Sequence, residues 1–592
     1  MRYQSRQNWS RGTSARGASY DEAPRFRAGR RGTPNRGDSF DRAARVFGGI
    51  ILFACAVVFV KLFYLQVVDS SELSQSAEAR RSHPIALHAK RGTIYDRNGN
   101  VLAMSKDCMT VCCNPKQVND PSGAAAIVAD ALGGKSQDYL EKMRGDGVFA
   151  YVARQIESSA ATEIEEKLDE KGIEGIYLIN DTKRIYPYGS VASQVLGIVG
   201  TDGDGLSGIE LYYNDILRGE DGEMLLETGA GGTPIAGGNS HISDAKDGSD
   251  IVLSIDVDIQ RVAEETIAEG VKRYKSDSGS VVVTSPKTGE VLAACSTPLF
   301  NISDTTKIES GALSLKPVSS SYEPGSIFKV LSAAIALESE SAKPEDVFTV
   351  PAYVQVGDDM VSDDDGRTET MDMDLREILR RSSNAGISLV TQERVGETRF
   401  ARGVAKFGIG ELTGIDYPGE VEGLVKQLNQ YDGASLGSMS FGQSLAIPLI
   451  QMVEAVGSIA NDGSRVTPHF LVSKNGEAVK WDPAGTSVSK ETADEVTDMM
   501  REVVRSGTAT AAQVEGYDIA GKTGTGEQAD ESGYIQNHFV SSLIGFAPAS
   551  DPEVLVYVGL NGTPYFASTS AATLFSTIMG EALSDSGVQP SS

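Results

Sequence analysis

Asp250–Thr284 reads DIVLSIDVDIQRVAEETIAEGVKRYKSDSGSVVVT, and its apolar pattern changes twice along the way. Apolar residues crowd Asp250–Ile255, recur at helical spacing over Ile259–Tyr274, and crowd again over Gly279–Thr284. The stretch therefore predicts strand, helix and strand. Further β-rich runs return at Phe539–Phe546 and Glu553–Leu560, with helical segments in between. That order predicts an α+β domain over residues 250–582, with a sheet made from both of its ends.

Before this domain, residues 80–245 read as short strands and helices broken by glycines. Asn98-Gly99, between Ile94 and Val101-Leu102, is a hairpin signal. Ala161–Lys171 is expected to be a surface helix with paired Glu and Lys, and the glycine-rich Gly229–Asn239 a linker. Further upstream, Val46–Val68 reads VFGGIILFACAVVFVKLFYLQVV, with Lys61 its one charge and Gln66 its other polar side chain. As a helix it would be about 34 Å long, enough to cross a bilayer core. Lys61 can reach the headgroups. Residues 1–45 hold eleven Arg and four acids, a net of +7 in a chain of net charge −27. They are expected to be disordered and, by the positive-inside rule, cytoplasmic. No small-residue cleavage site follows the apolar run, so the reading is an uncleaved single-pass anchor with the bulk of the chain extracytoplasmic. Residues 583–592 are expected to be a disordered tail.

At roughly 150 residues per domain, 592 residues call for several units. With 40% hydrophobic and 23% charged residues the chain is neither fibrous nor wholly disordered. Its 54 basic against 81 acidic residues argue against a nucleic-acid-binding body. Five cysteines cannot build a disulfide scaffold, and Cys108, Cys112 and Cys113 have no second pair at zinc spacing. None of the five histidines stands in an HExxH arrangement, so no metal and no cofactor is expected. The acidic run Asp358–Asp374 fails as a calcium loop: with Gly366 at the glycine position, the first ligand position falls on Val361. It reads as a solvated loop. Arg97, Arg184 and Glu210 read as interdomain salt links. His538 reads as a structural histidine, with the cleft wall as its other reading.

Three short motifs carry chemistry. In Glu323-Pro324-Gly325-Ser326-Ile327-Phe328-Lys329, Pro and Gly precede a helical run, and Ser326 and Lys329 share one helix face. A serine hydroxyl needs a base, and a lysine can be one if burial or nearby charge lowers its pKa. In Arg381-Ser382-Ser383-Asn384, a hydroxyl and an amide two residues apart can face one cleft. In Lys522-Thr523-Gly524-Thr525, an edge strand offers a cation and hydroxyls for a substrate carboxylate, and Gly524 lets a substrate backbone come close. Gly516–Thr523 also matches a phosphate-binding loop, but Gly524-Thr525-Gly526 would break the helix that such a loop requires.

Ser-x-x-Lys, Ser-x-Asn and Lys-Thr-Gly in this order resemble the penicilloyl serine transferases. Arg91–Ala103 (RGTIYDRNGNVLA), Arg184–Gly197 (RIYPYGSVASQVLG), Gly205–Gly222, Thr288–Asn301 and Ser440–Gln451 (SFGQSLAIPLIQ) resemble blocks of the class B penicillin-binding proteins. The wording Glu-Pro-Gly-Ser and Ser-Ser-Asn is similar to the septal type. The resemblance implies a single transmembrane helix, an extended N-terminal pedestal or dimerisation module (80–245) and a transpeptidase domain (250–582). That domain would have a central antiparallel sheet with helices on both faces and an all-helical subdomain. It implies a membrane-bound peptidoglycan D,D-transpeptidase of septal cell-wall synthesis, inhibited by β-lactams. Ser326 would be the nucleophile, Lys329 its base and Ser382 a proton relay. Asn384 would hold the donor stem peptide, lipid-linked or on nascent glycan, and Lys522, Thr523 and Thr525 its carboxylate. Expected partners are a membrane glycan polymerase of the shape, elongation, division and sporulation family, and other divisome proteins. An elongation-type transpeptidase or a catalytically weak penicillin-binding scaffold are the alternatives. A β-lactamase fits poorly with the anchor and the N-terminal module, and a β-lactam sensor would need a cytoplasmic signalling domain.

Overall fold

The computed structural model describes residues 36–68, 82–227, 241–530 and 533–590, so the expected linker Gly229–Asn239 and the first 35 residues lie outside the described residues. The chain divides into two units, Met1–His83 with Glu227–Gly238, and Pro84–Leu226 with Asn239–Ser592.

In the first unit the apolar run is helical, with Arg36–Phe63 followed by a π-helical turn Tyr64–Val68. Arg42–Gln66 has a mean hydropathy of up to 2.6 and buries nothing against protein, so it is long and apolar enough to cross a membrane. The helix starts at Arg36, inside the stretch expected to be disordered. Arg36–Arg45 contains no proline, and its backbone bonds run on into the apolar helix, whose nucleation cost is thereby shared.

The second unit is built on a five-stranded antiparallel sheet. Its order is Val291–Ser296, Ser278–Thr284, Val554–Thr563, Gly533–Ala547, Ala520–Asp530, so both ends of the domain do contribute. Val257–Arg273 and Ala571–Asp585 pack together on one face, while Leu449–Ala460 and Lys490–Ser506 lie on the other, with Lys329–Glu338 against them. The Lys490–Ser506 helix follows from its pattern: Val496, Met499, Met500 and Val503 are buried at three- and four-residue spacing, and Ser489 caps its start. Each such side chain contributes about 1.5–3 kcal/mol on burial. Short helices at Leu375–Arg381, Asn384–Val390 and Glu397–Lys406 add the helical subdomain. The expected C-terminal tail is ordered as far as residue 590. The last helix runs to Asp585, and Val588 packs on the core while its carbonyl accepts from Tyr517 Oη (2.9 Å).

Ile94–Tyr95 and Val101–Cys113 form the predicted hairpin. Gly99 takes φ +85° at the turn, and Asp96 Oδ1 accepts from the amides of Asn98 and Asn100 at 2.8 Å each. Ile94–Tyr95 also pairs in parallel with Ile251–Leu253, which pairs with Leu471–Lys474, so one sheet runs through both modules. Cys108, Cys112 and Cys113 are buried free thiols on the long hairpin strand, where they serve as small core residues.

The expected salt links divide. Arg97 does reach Glu290 across the two modules (3.5 Å). Arg184 instead joins Arg91 in holding Glu210, at 2.7 and 2.5 Å, entirely inside the N-terminal module. Glu210 is fully buried, so its charge requires both guanidinium groups.

Candidate active site

Gly325–Phe328 forms a 3-10 turn that leads directly into the helix Lys329–Glu338. Gly325 has φ +60°, and its N–H donates to Gly442 O (3.0 Å), which draws the SFGQS segment beneath the turn. Glu323 Oε1 fixes the same segment by accepting from Ser444 N (2.9 Å). Ser326 is only 5% exposed.

Lys329 is fully buried, and its Nζ donates to Ser382 O (2.5 Å) and Asn384 Oδ1 (2.6 Å), with Ser382 Oγ at 3.2 Å. Lys522 is also fully buried and its Nζ donates to Ser382 Oγ (2.8 Å) and Thr523 O (2.8 Å). The Ser382 hydroxyl thus bridges the two amines. It reaches that position because Ser382 ends the helix Leu375–Arg381 with φ +63°, a left-handed conformation uncommon for serine. Ser383 then caps the next helix, accepting from Gly386 N (2.8 Å), and Asn384 begins that helix. Strained backbone between two short helices is what brings a hydroxyl and an amide to one spot.

Burial lowers the Lys329 pKa to about 8, against the opposing pull of Asp364 and Asp363. Lys522 is pushed well below the ordinary lysine value, first by burial and then by Lys329, with Asp364 opposing. Two buried amines beside one hydroxyl, with Lys329 disfavouring the proton on Lys522, are an arrangement that can pass a proton.

Lys522-Thr523-Gly524-Thr525 lies within the strand Ala520–Asp530, and no phosphate-binding loop forms there. By strand alternation Thr523 and Thr525 share one face, Lys522 and Gly524 the other. Thr523 Oγ1 contacts Thr508 Oγ1 (2.6 Å). The space beside Gly524 is occupied by the protein itself: a Cβ there would lie 2.5 Å from Ser542 Oγ and 3.0 Å from Ile327 Cγ2. Its smallness lets this strand lie against the Ser326 turn.

Four of the side chains picked out in the three motifs, Lys329, Ser382, Asn384 and Lys522, come into direct contact, and Ser326 lies in the turn that leads into the Lys329 helix. Asn384 is more fully engaged than expected, since its Nδ2 donates to Asp364 Oδ1 (3.0 Å) and Ser362 O (3.2 Å). His538 is half-buried on the strand Gly533–Ala547 and has a partner.

The acidic run corrects the sequence reading, because part of it is not a solvated loop. Asp363 is buried, accepts from Ser383 Oγ (2.7 Å) and Ala385 N (3.0 Å), and pairs with buried Arg367 (3.0 Å). Asp365 pairs with Arg381. The run Asp363-Asp364-Asp365 thus holds Arg381–Ala385. The one signal in the sequence was Arg367, four residues after Asp363, a spacing equally common on solvated surfaces.

Residues 279–580 match the penicillin binding protein transpeptidase domain, and residues 86–253 the penicillin-binding protein dimerisation domain. The chain is 32% identical over 564 residues to stage V sporulation protein D of Bacillus subtilis, covering 92% of this chain and 85% of that one. It is 27% identical over 556 residues to peptidoglycan D,D-transpeptidase FtsI of Escherichia coli, covering 92% and 91%. A crystal structure of penicillin binding protein 3 from Mycobacterium tuberculosis, complexed with ampicillin, superposes with TM-score 0.67 at 28% identity, covering 86% of this chain and 97% of that one.

Proposed function

The chain belongs to the class B penicillin-binding proteins, and from that membership we propose that it is a membrane-anchored peptidoglycan D,D-transpeptidase acting through a Ser326 acyl-enzyme. The observation that carries the reading is the continuous contact Lys329–Ser382–Lys522 beside the Ser326 turn. A neutral amine has two N–H groups, and Ser382 O and Asn384 Oδ1 take both on Lys329. The lone pair then faces the third contact, Ser382 Oγ at 3.2 Å, and is what would accept the Ser326 proton. With a pKa of about 8, roughly a tenth of Lys329 is neutral at pH 7.

In acylation Ser326 Oγ bonds to the carbonyl carbon of the penultimate D-Ala of a stem peptide. Its proton passes to Lys329 and then through Ser382 to the leaving nitrogen, and the terminal D-Ala departs as the C–N bond breaks. Thr523 and Thr525 hold the terminal carboxylate, and Lys522, buried on the other face of the strand, contributes its field. The N–H groups of Ser326 and Thr525 receive the oxyanion, each contributing about 3–4 kcal/mol if they act as such donors do elsewhere. A donor-peptide carbonyl would take the Asn384 Nδ2 proton from Ser362 O, the longer of its two contacts at 3.2 Å. An amine on a neighbouring strand then attacks the ester, gives its proton back along the same path to Ser326, and completes the cross-link. Penicillin acylates the same serine.

The eleven Arg of residues 1–45 support an N-terminus in the cytoplasm and a catalytic body outside. The Glu-Pro-Gly-Ser and Ser-Ser-Asn motifs support septal synthesis over elongation. No motif for glycan polymerisation occurs in residues 80–245, so a membrane glycan polymerase and divisome proteins are the partners we assign. The test is intact mass of the full chain in detergent after benzylpenicillin, beside Ser326→Ala. A persistent one-to-one adduct on the wild type alone is expected. An adduct on the variant would remove Ser326 as nucleophile, no adduct on either would favour a scaffold, and rapid loss would favour hydrolysis.

A further inference from the structure

Three consecutive carboxylates meet the segment that bears Ser382 and Asn384, and they differ in how they are neutralised. Asp363 faces Arg367, and Asp365 faces Arg381. Asp364 has no cationic partner at ion-pair distance among the described residues; its Oδ1 accepts from Asn384 Nδ2 at 3.0 Å. With Ser362 O taking the other Nδ2 proton, both amide N–H groups of Asn384 point into the acidic loop. The amide oxygen must then point the other way, to Lys329 Nζ at 2.6 Å. The orientation of Asn384 toward the lysine is thus set from behind, by a side chain that does not touch the lysine.

Asp364 is also the anion common to both buried amines, acting electrostatically on Lys329 and on Lys522. The charged groups facing Lys329 are Lys522 from the strand Ala520–Asp530, and Asp363 and Asp364 from the loop. Asp363 acts on Lys329 while paired with Arg367, and only Asp364 acts on both amines.

We propose that Asp364 is a positioning residue for acylation: it fixes the Asn384 amide so that its oxygen holds Lys329, and it supplies the negative charge against which the two lysines share their protons. This rests on the reading that Ser326 is acylated with Lys329 as base. The two roles separate by substitution. Asp364→Asn keeps an oxygen to accept from Asn384 and removes the charge. Asp364→Ala removes both and frees the amide to turn over. A carboxylate stabilises the ammonium form, so its removal lets Lys329 lose its proton at lower pH.

The experiment measures the second-order rate constant of acylation by benzylpenicillin, from intact mass of the full chain in detergent, between pH 6 and 9.5. Wild type, both Asp364 variants and Asp359→Asn are compared; Asp359, exposed like Asp364, lies on the strand Asp359–Ser362 just before the acidic triplet and controls for loss of charge alone. For Asp364→Asn, the midpoint of the profile should fall by about half to one pH unit, with the plateau within about threefold of wild type. For Asp364→Ala, the plateau should fall roughly ten- to a hundredfold. Asp359→Asn should match wild type. A purely structural Asp364 would reduce the fraction of protein acylated in both variants and leave the midpoint in place, which would overturn the proposal. So would an Asp364→Ala plateau equal to wild type. A wild type that is not acylated at all overturns the Ser326 reading itself, and this inference with it.

Discussion

At Lys329 burial and charge pull against each other. Burial sets the pKa at about 8, and the loop aspartates keep it from falling further. If the neutral amine is the base, acylation should quicken about tenfold per pH unit below 8 and level off above it. The sign is fixed by the role, since raising the pH increases the neutral fraction. Stopped-flow acylation with a chromogenic cephalosporin would check it, and a rate flat from pH 6 to 9 would exclude Lys329 as the base. Ser382 carries a different tension. Its φ of +63° costs roughly 1 kcal/mol in a serine, and glycine would escape that cost. Ser382→Gly should therefore hold or slightly raise the melting temperature while acylation falls about a hundredfold, because the hydroxyl between the two amines is gone. A loss of stability matching the loss of rate would instead make Ser382 an ordinary cap.

At the scale of elements, the site depends on how closely the strand Ala520–Asp530 approaches the Ser326 turn. A Cβ at Gly524 would press on Ser542 Oγ at 2.5 Å and Ile327 Cγ2 at 3.0 Å. Gly524→Ala should cost about 1–3 kcal/mol and slow acylation more than that loss explains, since the strand can yield only by leaving the turn. Denaturant melts read beside acylation rates would check it, and a variant as stable and as fast as wild type would remove the glycine from the argument. The strands and helices of this domain were legible because each buries one face and repeats its apolar residues at the matching period, as Val496, Met499, Met500 and Val503 do. Asp363, Asp364 and Asp365 were not. Charge in a sequence reports polarity, and only the fold reveals that Ser383, Asn384 and Arg381 stand opposite. The C-terminal residues up to 590 were misread for a related reason: Val588 alone is a weak apolar signal, and its partner Tyr517 lies 71 residues away.

At the scale of the whole second unit, the hairpin and the block YGSVASQVLG were legible as parts of an N-terminal module, but how firmly that module is joined was not. In that block the Gln194 side chain accepts from Ser296 N (2.8 Å) and donates to Ala312 O (2.9 Å) in the transpeptidase domain, and its backbone carbonyl accepts from Tyr417 Oη (2.7 Å). A lone glutamine in an apolar run gives no hint of partners a hundred residues on. Tyr213 Oη donates to Asp416 Oδ2 (2.7 Å), while Asp416 also accepts from Phe470 N (2.7 Å) and Leu471 N (2.8 Å). Asp416 is fully buried, so each of these donors offsets part of the cost of removing its carboxylate from water. With the shared sheet running through Ile94–Tyr95, Ile251–Leu253 and Leu471–Lys474, the two modules have no boundary at which one can open alone. Calorimetry of the full chain should accordingly show one transition for both modules, where a pedestal on a flexible hinge would give two. Tyr213→Phe should lower stability by about 1–3 kcal/mol while keeping one transition, because a buried carboxylate loses a donor that no water replaces. Asp416→Ala should cost more, since it leaves the Tyr213 hydroxyl and two backbone N–H groups without their acceptor. If Asp416→Ala instead melted in two steps, this carboxylate would be what makes the modules cooperative; if it melted like wild type, the sheet alone would suffice.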